Sequence, residues 1–217
     1  MADTTYISLG TGCAIATELK RRNVREFALP FDWVYLWSMS SINVMLKDKC
    51  ESLFIIDNWK KAEYQEDMIE KNEVRYINIK YDGFFSVHDF KADIEFKDQF
   101  QEYVKIMRRR VKRLLDCFCS SRRIIFVRDE QQYALFAKYG GISSFVNEIK
   151  KFKQILVEIN PDIKFEIILI TEHTNETELL IMKNNEQLKP YYIHSNNEVL
   201  DWRRLVIPWD AVFSRIK

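Results

Sequence analysis

The chain has 217 residues, 47% of them hydrophobic and 30% charged, with 15 Phe, 10 Tyr and 5 Trp. This aromatic-rich but ordinary globular composition excludes bulk disorder and suits one domain spanning 1–217. With 33 basic against 32 acidic side chains the net charge is +1, so no whole-molecule field draws the protein to nucleic acid or to an anionic membrane, and any anion site must be local. No apolar leader or membrane-length run is visible, and four cysteines fit neither a secreted disulfide framework nor a zinc template. The expectation is a soluble, cytoplasmic protein without metal or cofactor.

Thr5 to Leu9 has the β-branched and apolar character of a short buried strand. Gly10 and Gly12 then permit a tight turn, and Cys13 to Arg22 carries good helix formers. Pro30 disfavours helix at Leu29, so residues 23–37 read as an irregular stretch packing Phe27, Phe31, Trp33 and Trp37. Asp32, between two aromatics, is expected to cap a helix beginning near Trp33 or to hold a specific buried partner. Ser40 or Ser41 precedes a predicted helix over Ile42 to Lys49, and Lys60 to Lys71 reads as a charged surface segment.

Val74 to Ile79 alternates as a half-exposed strand. Asp82-Gly83 signals a turn, so Phe84 to Val87 reads as the returning strand, delivering His88 and Asp89. From about Lys97 to Phe118 the apolar residues recur every three or four positions, the pattern of a long amphipathic helix, with Lys105, Arg108, Arg109, Arg110, Lys112 and Arg113 opposite. Arg123 to Val127 is a buried strand ending at Arg128-Asp129-Glu130. Gly140-Gly141 closes a short helix, and another runs from Ser143 or Ser144 to about Ile159. Phe165 to Ile170 is a strand with His173 at its tip, and Tyr191 to His194 a shorter one. Between them Glu176 to Lys183 suits a helical turn or two, and a short helix near Trp209 to Ile216 closes the chain. Strands near positions 5, 124, 166 and 191 alternate with helices, which predicts an α/β fold: a single three-layer domain with a mostly parallel sheet between helices.

Cys13 falls in the first turn of its helix, where unpaired backbone N–H groups and the helix dipole favour thiolate over thiol. A thiol nucleophile also needs a base within hydrogen-bond reach and a group to orient that base. Only three histidines exist: His88 is the first choice, His173 the second and His194 the third. Asp89 adjoins His88, but neighbours on a strand point to opposite faces, so the orienting carboxylate could equally be Asp32 or another residue brought in by the fold. The plainer reading of each group is a packed cysteine at a helix start and a surface histidine at a strand end.

Several stretches carry a resemblance. Ile7-Ser8-Leu9-Gly10-Thr11-Gly12-Cys13, then Leu19-Lys20-Arg21, Arg25 and Ala28-Leu29-Pro30-Phe31-Asp32-Trp33 are similar to the N-terminal signature of the DUF1796 family, described as putative papain-like cysteine peptidases. Val87-His88-Asp89-Phe90, the Arg109, Arg110 and Arg113 cluster and Phe126-Val127-Arg128 extend the similarity over roughly the first 130 residues. The resemblance implies Cys13 as nucleophile and His88 as base, and a papain-like α+β fold as the alternative to the parallel sheet. The strand, loop nucleophile and helix start also resemble the plan of GDS-type ester hydrolases, with Ser8 in the strand and Cys13 in the loop, but their late Asp-x-x-His is absent.

Two functions follow. One is a thiol hydrolase or acyl-transfer enzyme acting on a protein, peptide or small acyl substrate, with Cys13 attacking a carbonyl, His88 moving the proton, Asp89 or Asp32 orienting it, and N–H groups around Gly12 and Ala14 receiving the oxyanion. The other is an α/β module binding an anionic ligand such as a nucleotide or sugar phosphate, in which Gly10-Thr11-Gly12 and the following helix start offer N–H groups and Arg128 or the basic face of the long helix supplies charge. The second motif lacks the third glycine of a dinucleotide fingerprint and the Lys-Ser/Thr of a P-loop.

Overall fold

The computed structural model describes residues 4–63, 72–130, 140–172, 180, 182–193, 199–200, 204–205 and 207–214. In chain order the strands are β1 (Thr4–Ser8), β2 (Val34–Leu36), β3 (Trp59–Lys61), β4 (Tyr76–Asn78), β5 (Phe84–Ser86), β6 (Arg123–Glu130), β7 (Phe165–Glu172), β8 (Leu188–Ile193), β9 (Val199–Leu200) and β10 (Arg204–Leu205). The α-helices among the described residues are α1 (Cys13–Arg21), α2 (Met39–Lys47), α3 (Phe96–Phe118), α4 (Gly141–Ile159) and α5 (Trp209–Ser214).

Four strands pair in parallel in the order β1-β6-β7-β8, with Ile7 opposite Phe126 and Phe126 opposite Ile167. These are the four strands expected near positions 5, 124, 166 and 191. Their apolar runs fit a parallel sheet, whose strands are covered on both faces. Alternation along β6 sorts its side chains: Ile125 and Val127 join Ile15 and Leu19 of α1 and Val212 of α5, whereas Ile124 and Phe126 join Leu114 and Phe118 of α3 and Phe152 of α4. Each buried aliphatic or aromatic side chain in these clusters contributes about 1.5–3 kcal/mol.

The sequence reading did not anticipate the extent of a second sheet, antiparallel, in the order β2-β5-β4-β3. The β4 and β5 pair forms around Asp82-Gly83 as expected, with Ile77 opposite Phe85. β2 and β3 are each three residues long, too short to show a period, and they replace the irregular stretch and part of the surface segment foreseen there. The helix expected to start near Trp33 is absent: Val34 begins a strand, and Asp32 caps no helix. Helix α2 starts earlier than expected, with Ser38 Oγ accepting the Ser41 N–H at 3.1 Å.

Helix α3 owes its length to an unbroken stripe of Phe100, Tyr103, Met107, Val111, Leu114 and Phe118, all buried. Trp59 stands edge-on to Phe84, Phe90 and Tyr103, with ring centroids 5.8, 6.0 and 5.2 Å away, so the antiparallel sheet is fastened to α3 through aromatic packing. His173, His194, most of the expected helical turn over Glu176 to Lys183, and the short helix expected before Gly140 lie outside the described residues. No described helix is long and apolar enough to cross a membrane.

Candidate active site

Three successive residues at the end of β1 have positive φ: Gly10 at 78°, Thr11 at 72° and Gly12 at 123°. Thr11 is the unusual member, because a β-branched residue rarely enters the left-handed region. The turn is held from below. A Cβ on Gly10 would sit 2.7 Å from Leu36 Cβ, and one on Gly12 would sit 3.2 Å from the Tyr35 ring, so only glycine lets the turn lie against β2. The Gly12 N–H donates to Val34 O at 3.1 Å, and helix α1 begins with Cys13 as its first residue.

This turn presents the half-buried Cys13 thiol to His88, with Sγ 3.2 Å from Nε2. The other ring nitrogen, Nδ1, donates to Glu73 Oε2 at 2.7 Å, and this fixes the tautomer that leaves Nε2 facing the sulfur. An isolated antiparallel bridge between Glu73 and Lys91, beside the Val74 N–H to Phe90 O bond of 3.1 Å, brings Glu73 alongside the histidine. Lys91 Nζ is 3.7 Å from Glu73 Oε1. The result is a chain of thiol, imidazole and carboxylate, with the histidine 38% exposed and Glu73 14% exposed.

The carboxylate on the ring is therefore Glu73: neither of the named candidates, Asp89 and Asp32, but a residue brought in by the fold, the alternative that the sequence reading left open. Asp89 points away from His88 Nδ1, into α3, with Oδ1 3.7 Å from Arg110 Nη1. Burial pushes its carboxyl up from the ordinary range, and Arg110 and His88 oppose that shift. Asp32 is 1% exposed and accepts from Arg25 Nη1 and the Leu29 N–H, each at 2.9 Å. Its carboxyl is also pushed up by burial, against the Leu29 hydrogen bond and the Arg25 and Arg110 charges. Both aspartates are pieces of the frame around the site.

The expected anion cradle is likewise occupied by the protein itself. The Gly10 N–H donates to Ser8 Oγ at 3.3 Å and the Gly12 N–H is taken by Val34, so neither is offered to a ligand. Arg128 is fully buried: Nη1 donates to Leu9 O at 2.6 Å and Leu36 O at 2.7 Å, and Nε to Glu130 Oε1 at 2.7 Å. It clamps the ends of β1 and β2 together instead of meeting solvent. Its place on β6 explains this, since Arg128 follows Ile124 and Phe126 on the face turned into the large core. Ala14 remains as a donor: it is the second residue of α1, where an N–H has no intrahelical acceptor, and Gly12 has no side chain to cap it.

Among the described residues no cluster of histidine, cysteine, aspartate and glutamate has the makings of a metal site. Comparison with known proteins agrees with the signature at the N-terminus. "Uncharacterized protein R408" of Acanthamoeba polyphaga mimivirus is 30% identical over 142 residues, which cover 59% of this chain and 62% of that relative's length. No solved structure matches the chain. The family model described as "Putative papain-like cysteine peptidase (DUF1796)" matches residues 4–176, a span that contains Cys13, Glu73 and His88, and the chain belongs to the DUF1796 family.

Proposed function

We propose that this protein is a cysteine-dependent hydrolase or acyl-transfer enzyme in which Cys13 is the nucleophile, His88 the general base and acid, and Glu73 the group that orients the imidazole. The observation that carries the reading is the relay itself: Sγ to Nε2 at 3.2 Å and Nδ1 to Glu73 at 2.7 Å, at the start of a helix. Nucleophile, base and orienting carboxylate in hydrogen-bond sequence are the general requirement for an activated nucleophile. The family description supports the same chemistry. Hydrophobic clusters on opposite faces of the parallel sheet support the three-layer arrangement that carries it.

Proton transfer from Cys13 Sγ to His88 Nε2 gives a thiolate and an imidazolium, the latter stabilised by Glu73. The thiolate attacks the substrate carbonyl carbon, forming a C–S bond as the carbonyl π pair moves to oxygen. The Ala14 N–H at the helix start donates to that oxyanion, aided by the positive end of the dipole. Collapse of the intermediate expels an amine or alkoxide that takes the proton from Nε2, leaving an acyl-Cys13 thioester. Water, deprotonated by the same nitrogen, then cleaves the thioester and restores the thiol. A peptide bond and an ester pass through the same steps, so substrate choice between protein, peptide and small acyl compound rests on the surrounding walls.

The test is a burst assay with p-nitrophenyl acetate, measured on a Cys119→Ser background because Cys119 is exposed. Stoichiometric release of p-nitrophenolate that disappears in Cys13→Ala, with an unchanged folded spectrum, is the expected result. An equal burst in the folded Cys13→Ala protein, or none in the parent, overturns the reading.

A further inference from the structure

The antiparallel sheet packs on α3 with the face that carries Trp59. Val34, Asn78 and Phe84 are buried on the same side, and the residues that alternate with them form the outer face. Across that outer face Lys60 stands opposite Ile77, Ile77 opposite Phe85, and Phe85 opposite Tyr35. The row crosses all four strands, a run of about 14 Å at the usual strand spacing. Tyr35, Phe85 and Ile77 are half-buried, and Lys60 is exposed. Trp37, two residues past Tyr35 and also half-buried, brings its ring centroid to 4.6 Å from that of Phe85.

This apolar surface borders the reacting pair at two points. On β2, the Tyr35 ring lies 3.2 Å from where a Cβ of Gly12 would stand, and Gly12 directly precedes Cys13. On β4, pairing continues back towards Glu73: the Ala62 N–H donates to Arg75 O at 2.9 Å and the Val74 N–H to Phe90 O at 3.1 Å. Glu73, Arg75 and Ile77 therefore share the outer face, and Glu73 is the carboxylate that holds His88. The charges around the surface are mostly positive. Arg75 Cζ is 5.7 Å from the Tyr35 ring centroid, Arg25 Cζ is 5.2 Å from that of Trp33, and Lys60 ends the row. Glu73 is already engaged by His88 and Lys91. Such a surround disfavours a cationic group, whereas covering half-exposed rings and Ile77 with an uncharged chain removes apolar area from water.

We propose that the outer face of the antiparallel sheet is the acyl-binding surface of the site, where Tyr35, Phe85, Ile77 and Trp37 carry an unbranched apolar chain whose carbonyl lies at Cys13. The claim deepens the hydrolase reading and rests on it, since it makes the preferred substrate a medium-chain acyl compound. Recognition is read without turnover, from the rate at which Cys13 is alkylated in the intact Cys119→Ser protein, followed by mass spectrometry. The reagents are iodoacetamide, N-hexyl-iodoacetamide and N-(6-aminohexyl)-iodoacetamide, each rate being divided by that of the same reagent with glutathione. The hexyl reagent is expected to react at least tenfold faster than iodoacetamide, and the aminohexyl reagent less than threefold faster. Trp37→Ala and Ile77→Thr, in protein that keeps the parent circular dichroism spectrum, are each expected to cut the hexyl gain at least threefold. No hexyl gain, an equal gain for the aminohexyl reagent, or a gain indifferent to both substitutions overturns the proposal. A hexyl gain without a Cys13-dependent burst from p-nitrophenyl acetate leaves the apolar surface standing and removes the hydrolase reading; a burst without a hexyl gain gives the reverse.

Discussion

Replacing His88 with alanine is expected to slow alkylation of Cys13 by iodoacetamide about tenfold at pH 7. The magnitude follows from the 3.2 Å contact. Two opposite unit charges at that separation attract by about 1.3 kcal/mol at the dielectric of water and about 5 kcal/mol at an effective dielectric of 20. His88 is 38% exposed, so the lower figure governs, and about 1.3 kcal/mol is roughly tenfold in the population of the ionised sulfur. There is also a ceiling, because an ordinary thiol titrating near 8.5 is about 3% ionised at pH 7 and cannot gain more than about 30-fold. Mass spectrometry of the alkylated protein separates the sites: burial holds the Cys117 thiol at about 11 and pushes Cys50 up as well, so neither competes at pH 7, and Cys119 is removed as serine. A Cys13 rate that changes less than twofold on loss of His88, in protein that remains folded, refutes the coupling of sulfur and imidazole.

Glu73→Gln keeps the shape but turns a charge-assisted hydrogen bond at 2.7 Å into a neutral one, a difference of about 1 kcal/mol, so the same alkylation rate should fall roughly fivefold; an unchanged rate removes Glu73 from the relay. Arg128→Met strands two carbonyl groups and Glu130 in the core and should destabilise by about 3–5 kcal/mol, a drop of roughly 6–20 °C in thermal midpoint by calorimetry; a small change would show that the clamp is not what holds β1 and β2 together. Gly10→Ala combines a φ of 78° with a 2.7 Å approach to Leu36 Cβ, and chemical denaturation should show a loss of about 2–4 kcal/mol. Hydrogen bonds from Arg21 and then Arg22 hold the Glu18 carboxyl below its ordinary 4.5. A depressed folded value gives stability that is present above the unfolded value and lost as pH falls through the folded one. Glu18→Gln should therefore cost about 1 kcal/mol at pH 7, with the two proteins converging as pH falls through the depressed folded value in urea titrations.

What the sequence made legible divides by length of signal. The four parallel strands are runs of β-branched and aromatic residues, and α3 carries its period through 23 residues, so both survive any uncertainty at their ends. The three-residue strands β2 and β3 carry no period, and their aromatic neighbours read equally well as packed loop. Cys13 and His88 were visible as residue types with few competitors. Glu73 was missed by one position: the expected strand began at Val74, and the residue before it acquires its place from a single bridge to Lys91 that no local pattern announces. The Asp89 expectation failed because the strand ends at Ser86 and the chain bends at residues 87–89, where the Asp89 carboxylate lies against Arg110 of α3.

The parallel sheet delivers Cys13 and the antiparallel sheet delivers His88, so the 3.2 Å contact depends on how the two sheets are joined. Arg128 supplies one join, its Nη1 shared between the last residue before the Cys13 turn and the last residue of β2. On the histidine side Asp89 meets Arg110 of α3, and Asp32 with Arg25 fixes the entry to β2. Three buried or half-buried arginine–carboxylate pairs thus line the seam. Such pairs are poor sources of stability, because desolvation offsets most of their attraction, but each is directional and strongly penalises a misplaced partner. A core held by apolar contacts alone tolerates small shifts of one sheet on the other, since those contacts are non-directional. A shift of 1 Å of one sheet on the other would break the hydrogen bonds of 2.6 and 2.7 Å that Arg128 makes to Leu9 and Leu36. The aspartates and Arg128, which the sequence placed in the chemistry, therefore bear on the proposed site at one remove, as parts of the frame around the 3.2 Å contact between Cys13 and His88.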